Sequence, residues 1–195
     1  MDKPTANSPD TFVCPWWLIH TFDNPLRRIV QKPEKLLEGI VRRGDLCLDL
    51  GCGFGYFTIP LARLVGPTGA VTAVDVQPQM LAGVRRRAEA SGLLSRIQLQ
   101  QADSSGLHLG VSFDFALAFW MMHEVPDQEG MLGEIKRLLK PGGRFMLAEP
   151  KGHVTLAAFH RTVSIAESVG FLKLRDLSVY FSRAVLMTNG TGSAG

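Results

Sequence analysis

Over residues 46–149 short β-type runs alternate with longer stretches that read as helices, and each switch is punctuated by Gly or Pro. That alternation specifies a parallel sheet with its crossovers packed on the faces. The β-type runs fall at 46–50, 70–74, 97–101, 113–119 and 144–149, with two more near 172–177 and 182–187. The run FDFALAF is almost wholly apolar, as a central strand buried on both faces should be. Helices are expected at 56–65, ended by Gly66-Pro67, from Pro78 to a stop at Gly92, and behind an Asp127 N-cap as far as Leu139. Another is expected near 156–169, stopped by Gly170, and one near 33–43 ahead of the first strand. Pro141-Gly142-Gly143 should turn the chain into the strand at 144–149.

A length of 195 residues at 46% hydrophobic content suits one globular domain, expected over 31–188. Residues 1–30 form an N-terminal extension, and NGTGSAG at 189–195 reads as a flexible tail. The net charge of +3 is too small to imply nucleic acid, and Arg42-Arg43 and Arg85-Arg86-Arg87 read as solvated helix faces. No apolar stretch reaches the ~18 residues that a membrane span needs. The start MDKPTANSPD lacks the charged-then-apolar order of a secretory signal, so the cytoplasm is the expected compartment. Cys14, Cys47 and Cys52 contain no C-x-x-C pair, which indicates neither a disulfide framework nor a metal site.

The stretch LDLGCGFGYF places three glycines at alternate positions behind an acid. A backbone that bare either cradles a ligand or makes a tight strand-to-helix connection. The helix that follows directs unsatisfied N–H groups over the turn, a geometry suited to an anion or a ribose. The dinucleotide fingerprint G-x-G-x-x-G would need glycine at Tyr56, and no Gly-Lys-Ser or Gly-Lys-Thr follows for a phosphate loop.

Asp49-Leu50-Gly51-Cys52-Gly53-Phe54-Gly55 resembles the D-x-G-x-G-x-G motif of class I S-adenosylmethionine-dependent methyltransferases. VTAVDVQPQML, QADSSGL, FDFALAFWMMHEVPD and RLLKPGGRFMLAEP extend the resemblance in register to Pro150. The small-molecule and quinone-modifying branches look most similar. The resemblance implies a Rossmann-like α/β fold: a doubly wound, mostly parallel seven-stranded sheet with helices on both faces. It also implies S-adenosyl-L-methionine as cofactor. The implied contacts are Asp49, Gly51, Gly53 and Gly55 at the turn, Asp75 on the ribose hydroxyls with Val76 and Met80 beyond it, Asp103 and Ser104 toward the adenine, and Phe119 at the end of the fourth strand. A carboxylate at Asp75 can accept two bonds from a diol side by side. Cys52 and Phe54 are then spacers.

Methyl transfer from a sulfonium demands mainly that the acceptor be held in line, and a general base only where the acceptor loses a proton. His123, Glu124, His20 and His153 are the candidates, with His123 best placed beyond the fourth strand. The segment CPWWLIHTFDNPLRR at 14–28 reads either as a cover over the cofactor, ordered by it, or as a strap on the sheet edge. FWMM after the fourth strand lacks the Pro-Pro-aromatic signature of nucleic-acid base methylases, and nothing in the chain marks a macromolecular acceptor. The expected activity is methyl transfer to a small-molecule or lipid-like acceptor. Two other readings stay open: a methyltransferase-like partner subunit without catalysis, and a nicotinamide-dependent oxidoreductase.

Overall fold

The computed structural model describes residues 32–103 and 106–190. After a short helix α1 (Pro33–Leu37), the chain runs β1 (Leu46–Leu50), α2 (Thr58–Leu64), β2 (Ala70–Asp75), α3 (Pro78–Ala90) and β3 (Ile97–Gln101). It continues with β4 (Phe113–Phe119), α4 (Gln128–Leu138), β5 (Leu139–Pro150), α5 (Leu156–Ser168), β6 (Phe171–Val179) and β7 (Ser182–Asn189). Single 3₁₀ turns at Leu94–Arg96 and Met122–Glu124 precede β3 and follow β4. The seven strands lie in one sheet ordered β3-β2-β1-β4-β5-β7-β6, parallel from β3 to β5, with β7 antiparallel to both its neighbours.

The strand period of two sorts side chains onto the two faces. Phe115, Leu117 and Phe119 pack on one side with Cys47, Met146, Ile59 and Val84, beneath α1 to α3. Ala116 and Ala118 face the other side with Leu48, Leu50, Phe145 and Leu147, beneath α4 and α5. Doubly wound packing follows, and the winding reverses between β1 and β4, which pair directly. In open sheets of this kind, ligands bind outside the carboxyl ends of the strands at that reversal. Among the described residues no helix is long and apolar enough to cross a membrane.

Four expectations shift. The helix near 33–43 is only Pro33–Leu37: Glu38 turns extended at φ −60, ψ 132, and Gly39 sits at φ +74. Ile40 and Val41 are still buried, so the apolar pattern was packing without helix. The helix expected at 56–65 starts at Thr58, because the glycine turn continues through Phe57. β5 begins at Leu139 rather than Arg144: Pro141-Gly142-Gly143 forms a bulge inside it, and pairing with β4 slips between Phe113/Leu139 and Phe115/Arg144. Gly142 takes φ +74 there. Finally, Asn189 closes β7 instead of opening the tail, its Nδ2 donating to Leu139 O at 2.8 Å.

Candidate functional site

β1 ends by delivering Asp49 and the glycine turn to the carboxyl edge of the sheet. All three glycines have left-handed backbone, φ +61, +51 and +82 at Gly51, Gly53 and Gly55, which favours residues without a Cβ. Their surroundings differ. A Cβ on Gly51 would lie 2.7 Å from Met121 Cβ, and one on Gly55 3.3 Å from Val84 Cγ2. A Cβ on Gly53 would meet nothing within 4 Å. A side chain at Gly51 or Gly55 would therefore meet protein, whereas at Gly53 the Cβ direction is open, although the Gly51 backbone is itself exposed. Cys52 and Phe54 between them are buried, as spacers should be.

Two acids stand under this turn. Asp75, at the end of β2 and 8% exposed, accepts from the Gly53 N–H at 3.0 Å and from the Gln77 N–H at 2.9 Å. It thus ties the turn to the start of α3 and keeps acceptor capacity for a further donor. Burial pushes its carboxyl above the ordinary range, against the pull of the Gln77, Gly53 and Val76 amides. Asp49 is 2% exposed and accepts from Thr58 Oγ1–H at 2.6 Å. Burial raises it to about 7, with the Thr58 bond opposing and the Asp75 charge adding to the rise.

The remaining cofactor candidates are more dispersed. Val76 is 46% exposed beside Asp75, whereas Met80 is fully buried on α3. Asp103 follows β3 with an exposed side chain whose Oδ1 lies 3.0 Å from His108 Nε2. Phe119 packs at a tilt against Phe57 and Trp120, ring centroids 4.3 and 5.4 Å away, joining β4 to the turn before α2. Tyr56, standing where a dinucleotide fold needs its third glycine, is buried in the core. Ser104, His20 and the segment 14–28 lie outside the described residues.

A second group lies beyond β4. Trp120 takes φ +61, held by its N–H donating to Ala148 O at 2.8 Å and its indole N–H donating to Ser182 Oγ at 2.9 Å. Met121 then packs on Gly51, and His123 follows two residues later. Glu149 near the end of β5, 1% exposed, holds His123 with both oxygens. Oε1 accepts from the His123 backbone N–H at 3.1 Å, and Oε2 lies 2.6 Å from the ring Nδ1. The Glu149 hydrogen bond raises the His123 pKa above its ordinary value, outweighing the burial that lowers it. The ring also stacks on His153, centroids 6.5 Å apart and 10° from parallel. Both rings line a cleft of about 480 Å³ whose walls include Asp127, Glu149, Arg161 and Thr162.

Glu149 was not singled out from the sequence, although a signal was present. An acid near the end of the apolar strand FMLAEP must either reach water or find a partner, because an unpaired buried charge is costly. Glu124 stands 4.0 Å from His123 Nε2. Cys47 and Cys52 are free and buried, and burial raises both thiols, so neither is a ready nucleophile. No cluster of three metal-ligating side chains occurs among the described residues.

Comparison with known proteins adds an independent line. Residues 47–143 match the family described as "Methyltransferase domain". The demethylmenaquinone methyltransferase of Lactobacillus johnsonii is 39% identical over 110 residues, 56% of this chain and 45% of that one. That of Symbiobacterium thermophilum is 40% identical over 109 residues, 55% of this chain and 43% of its own. The match therefore spans less than half the length of these curated relatives. A crystal structure of a SAM-dependent methyltransferase from Aquifex aeolicus superposes with TM-score 0.80 at 24% identity, covering 89% of this chain and 98% of that one.

Proposed function

Since the chain belongs to the class I S-adenosylmethionine-dependent methyltransferases, we propose that it moves a methyl group from S-adenosylmethionine to a small, quinone-like acceptor. The open face of Gly53, with Asp75 hydrogen-bonded to its N–H, carries this reading. The residues there fit the cofactor. Space stands where a Cβ would otherwise project, and two buried acids with no basic partner among the described residues suit a ligand that brings a sulfonium, an ammonium and a ribose diol. Asp75 would hold the ribose with its spare lone pairs, and Asp49 would orient the turn or meet the amino group. Val76 and Asp103 would border the adenine.

Bound S-adenosylmethionine supplies a methyl group already activated on sulfur. The protein's task is then to fix the acceptor and exclude water, and positioning of this kind can supply about 7–11 kcal/mol. The His123–His153 cleft is the proposed acceptor side, separated from the glycine turn by Met121. The names of the relatives favour a quinone-like acceptor.

Calorimetry with S-adenosylhomocysteine and with NAD tests the cofactor. The first should bind with a 1:1 stoichiometry and the second should not. Transfer of labelled methyl to a reduced naphthoquinone should follow, and binding without transfer to this or to any other class of small acceptor would point instead to a non-catalytic subunit.

A further inference from the structure

The two oxygens of Glu149 are both committed to one residue. One takes the His123 amide and the other the His123 ring, from a strand end that is almost wholly buried. A carboxylate only accepts, so Nδ1 must carry the proton, and the lone pair of the neutral ring is placed on Nε2. The backbone bond fixes where the ring is attached, and the ring bond fixes how it turns. The His153 ring runs parallel to it, centroids 6.5 Å apart. A histidine held by both its amide and its ring beside a cleft is an oriented proton acceptor.

We propose that Glu149 is the positioning residue of a His123–Glu149 pair that removes a proton from the acceptor during transfer, so that the acceptor is a phenol or an enolisable carbon acid. This deepens the methyltransferase reading and rests on it. As the acceptor's electron pair forms the bond to the methyl carbon, the methyl–sulfur bond breaks and its pair stays on sulfur, leaving a neutral thioether. The acceptor proton passes to His123 Nε2, and the resulting imidazolium is balanced by Glu149 before the proton leaves through the cleft. A thioether or a tertiary amine has no proton to lose and would leave the pair idle.

The ring faces Glu149 from β5, Glu124 from its own turn and His153 from the loop after β5, with Asp127 and Glu129 at the start of α4 and Arg161 on α5 along the same cleft. Glu149 alone holds it at hydrogen-bond distance with a carboxylate. Glu149→Gln should therefore lower the His123 pKa while the other groups stay in place.

The test uses the full chain with S-adenosylhomocysteine bound, and NMR titration of the His123 ring in the wild type, in Glu149→Gln and, as a second variant that keeps the charge, in Glu149→Asp. In the wild type His123 should titrate above the ordinary ~6.5 of a free imidazole, as the Nε2 lone-pair tautomer when neutral. Glu149→Gln should bring it back to that value or below, and Glu149→Asp should retain part of the rise. Transfer from S-adenosylmethionine to 1,4-dihydroxynaphthalene should rise with pH through the His123 titration. In Glu149→Gln the limb should move to lower pH and kcat should fall about tenfold or more, with KM little changed, the loss staying below the ~10²–10⁴-fold that a general base itself supplies.

Dimethyl sulfide, offered as a protonless acceptor, should be methylated at least a hundredfold more slowly, if at all. An unshifted His123 in the wild type overturns the pair whatever the turnover. So does a pH profile that Glu149→Gln leaves in place, or transfer to dimethyl sulfide at the naphthalenediol's rate. Binding of S-adenosylhomocysteine with transfer to neither probe overturns the acceptor class, whereas absence of that binding overturns the methyltransferase reading instead.

Discussion

The two ends of the parallel sheet treat their acids in opposite ways. At the amino end, Lys140 Nζ donates to both oxygens of Asp114 at 2.8 Å, and Arg144 reaches Asp45 at 3.2 Å. Desolvation is the largest single influence on Asp114 and raises it. The Lys140 and Leu46 hydrogen bonds, with the charges of Lys140 and Arg144, together outweigh it and hold the carboxyl below its ordinary range. At the carboxyl end, Asp49 and Asp75 are more deeply buried and, among the described residues, have no basic partner within ion-pair distance. Both are raised. The acids of the amino end are already paired, while those of the carboxyl end are left in an environment where a positively charged ligand would favour their ionised form. That asymmetry supports the proposed cofactor site, since perturbed acids concentrate where function needs them.

The largest effect that can break this contrast is steric. Gly51→Ala would press a Cβ against Met121 at 2.7 Å while leaving the residue at φ +61. Overpacking should cost about 1–3 kcal/mol and the left-handed backbone about 1–2 more, read by urea unfolding, and S-adenosylhomocysteine binding should disappear. Gly142→Ala at the amino end meets nothing within 4 Å, so it should lose only the backbone part, about 1–2 kcal/mol, and keep its affinity. Equal losses in both variants would mean that the glycine turn is no more crowded than an ordinary bulge.

A pH series sharpens the same contrast. Asp49 is raised from 3.8 to about 7, so the folded protein keeps a proton that the unfolded chain has released. Between about pH 4 and pH 7 the folded state binds more protons, and stability must fall as pH rises, levelling off above about 7. His123, also raised, adds stability that is present below about 6.5 and lost as pH passes its folded value. Asp114 runs the other way, contributing above about 3.8 and losing that contribution as pH falls through its lowered value. In denaturant unfolding across pH 5 to 8, Asp49→Asn should flatten the descent below 7. An unchanged slope in that variant would remove Asp49 as its source.

The smallest effect is expected at the amino end. Lys140 is 43% exposed, so Asp114→Asn should cost no more than about 1 kcal/mol, less at high salt, and leave cofactor affinity alone. A larger, salt-independent loss would show that this ion pair supports the site through the β1–β4 pairing.

Much of the carboxyl end was legible in the sequence because its contacts are short-range. The turn, its spacers and the position of Asp75 follow from one β-α-β unit, where spacing alone carries meaning. What the spacing left open was the use of each glycine: a Cβ at Gly51 would strike Met121, seventy residues later, and only at Gly53 is the Cβ direction open. Glu149 is the clearest case. It looks like the polar end of a strand until the sheet order places β5 beside β4 and brings it under His123. The bulge at Pro141-Gly142-Gly143 escaped for a related reason, since turn-forming residues do not reveal that pairing resumes on both sides.

If the carboxyl end of β1 and β2 holds the cofactor, S-adenosylhomocysteine calorimetry on the wild type, Asp75→Ala and Asp114→Ala at one pH should separate the two acids. Loss of a charge-assisted pair should weaken Asp75→Ala by about 1.5–3 kcal/mol, roughly 10- to 150-fold in Kd. Asp75→Asn, which keeps one acceptor oxygen for the turn, should show the same direction of change without loss of the fold. Asp114→Ala should bind within about twofold of the wild type, since its acid makes only the amino-end contacts. Full affinity in Asp75→Ala, or an equal loss in both variants, would contradict the account.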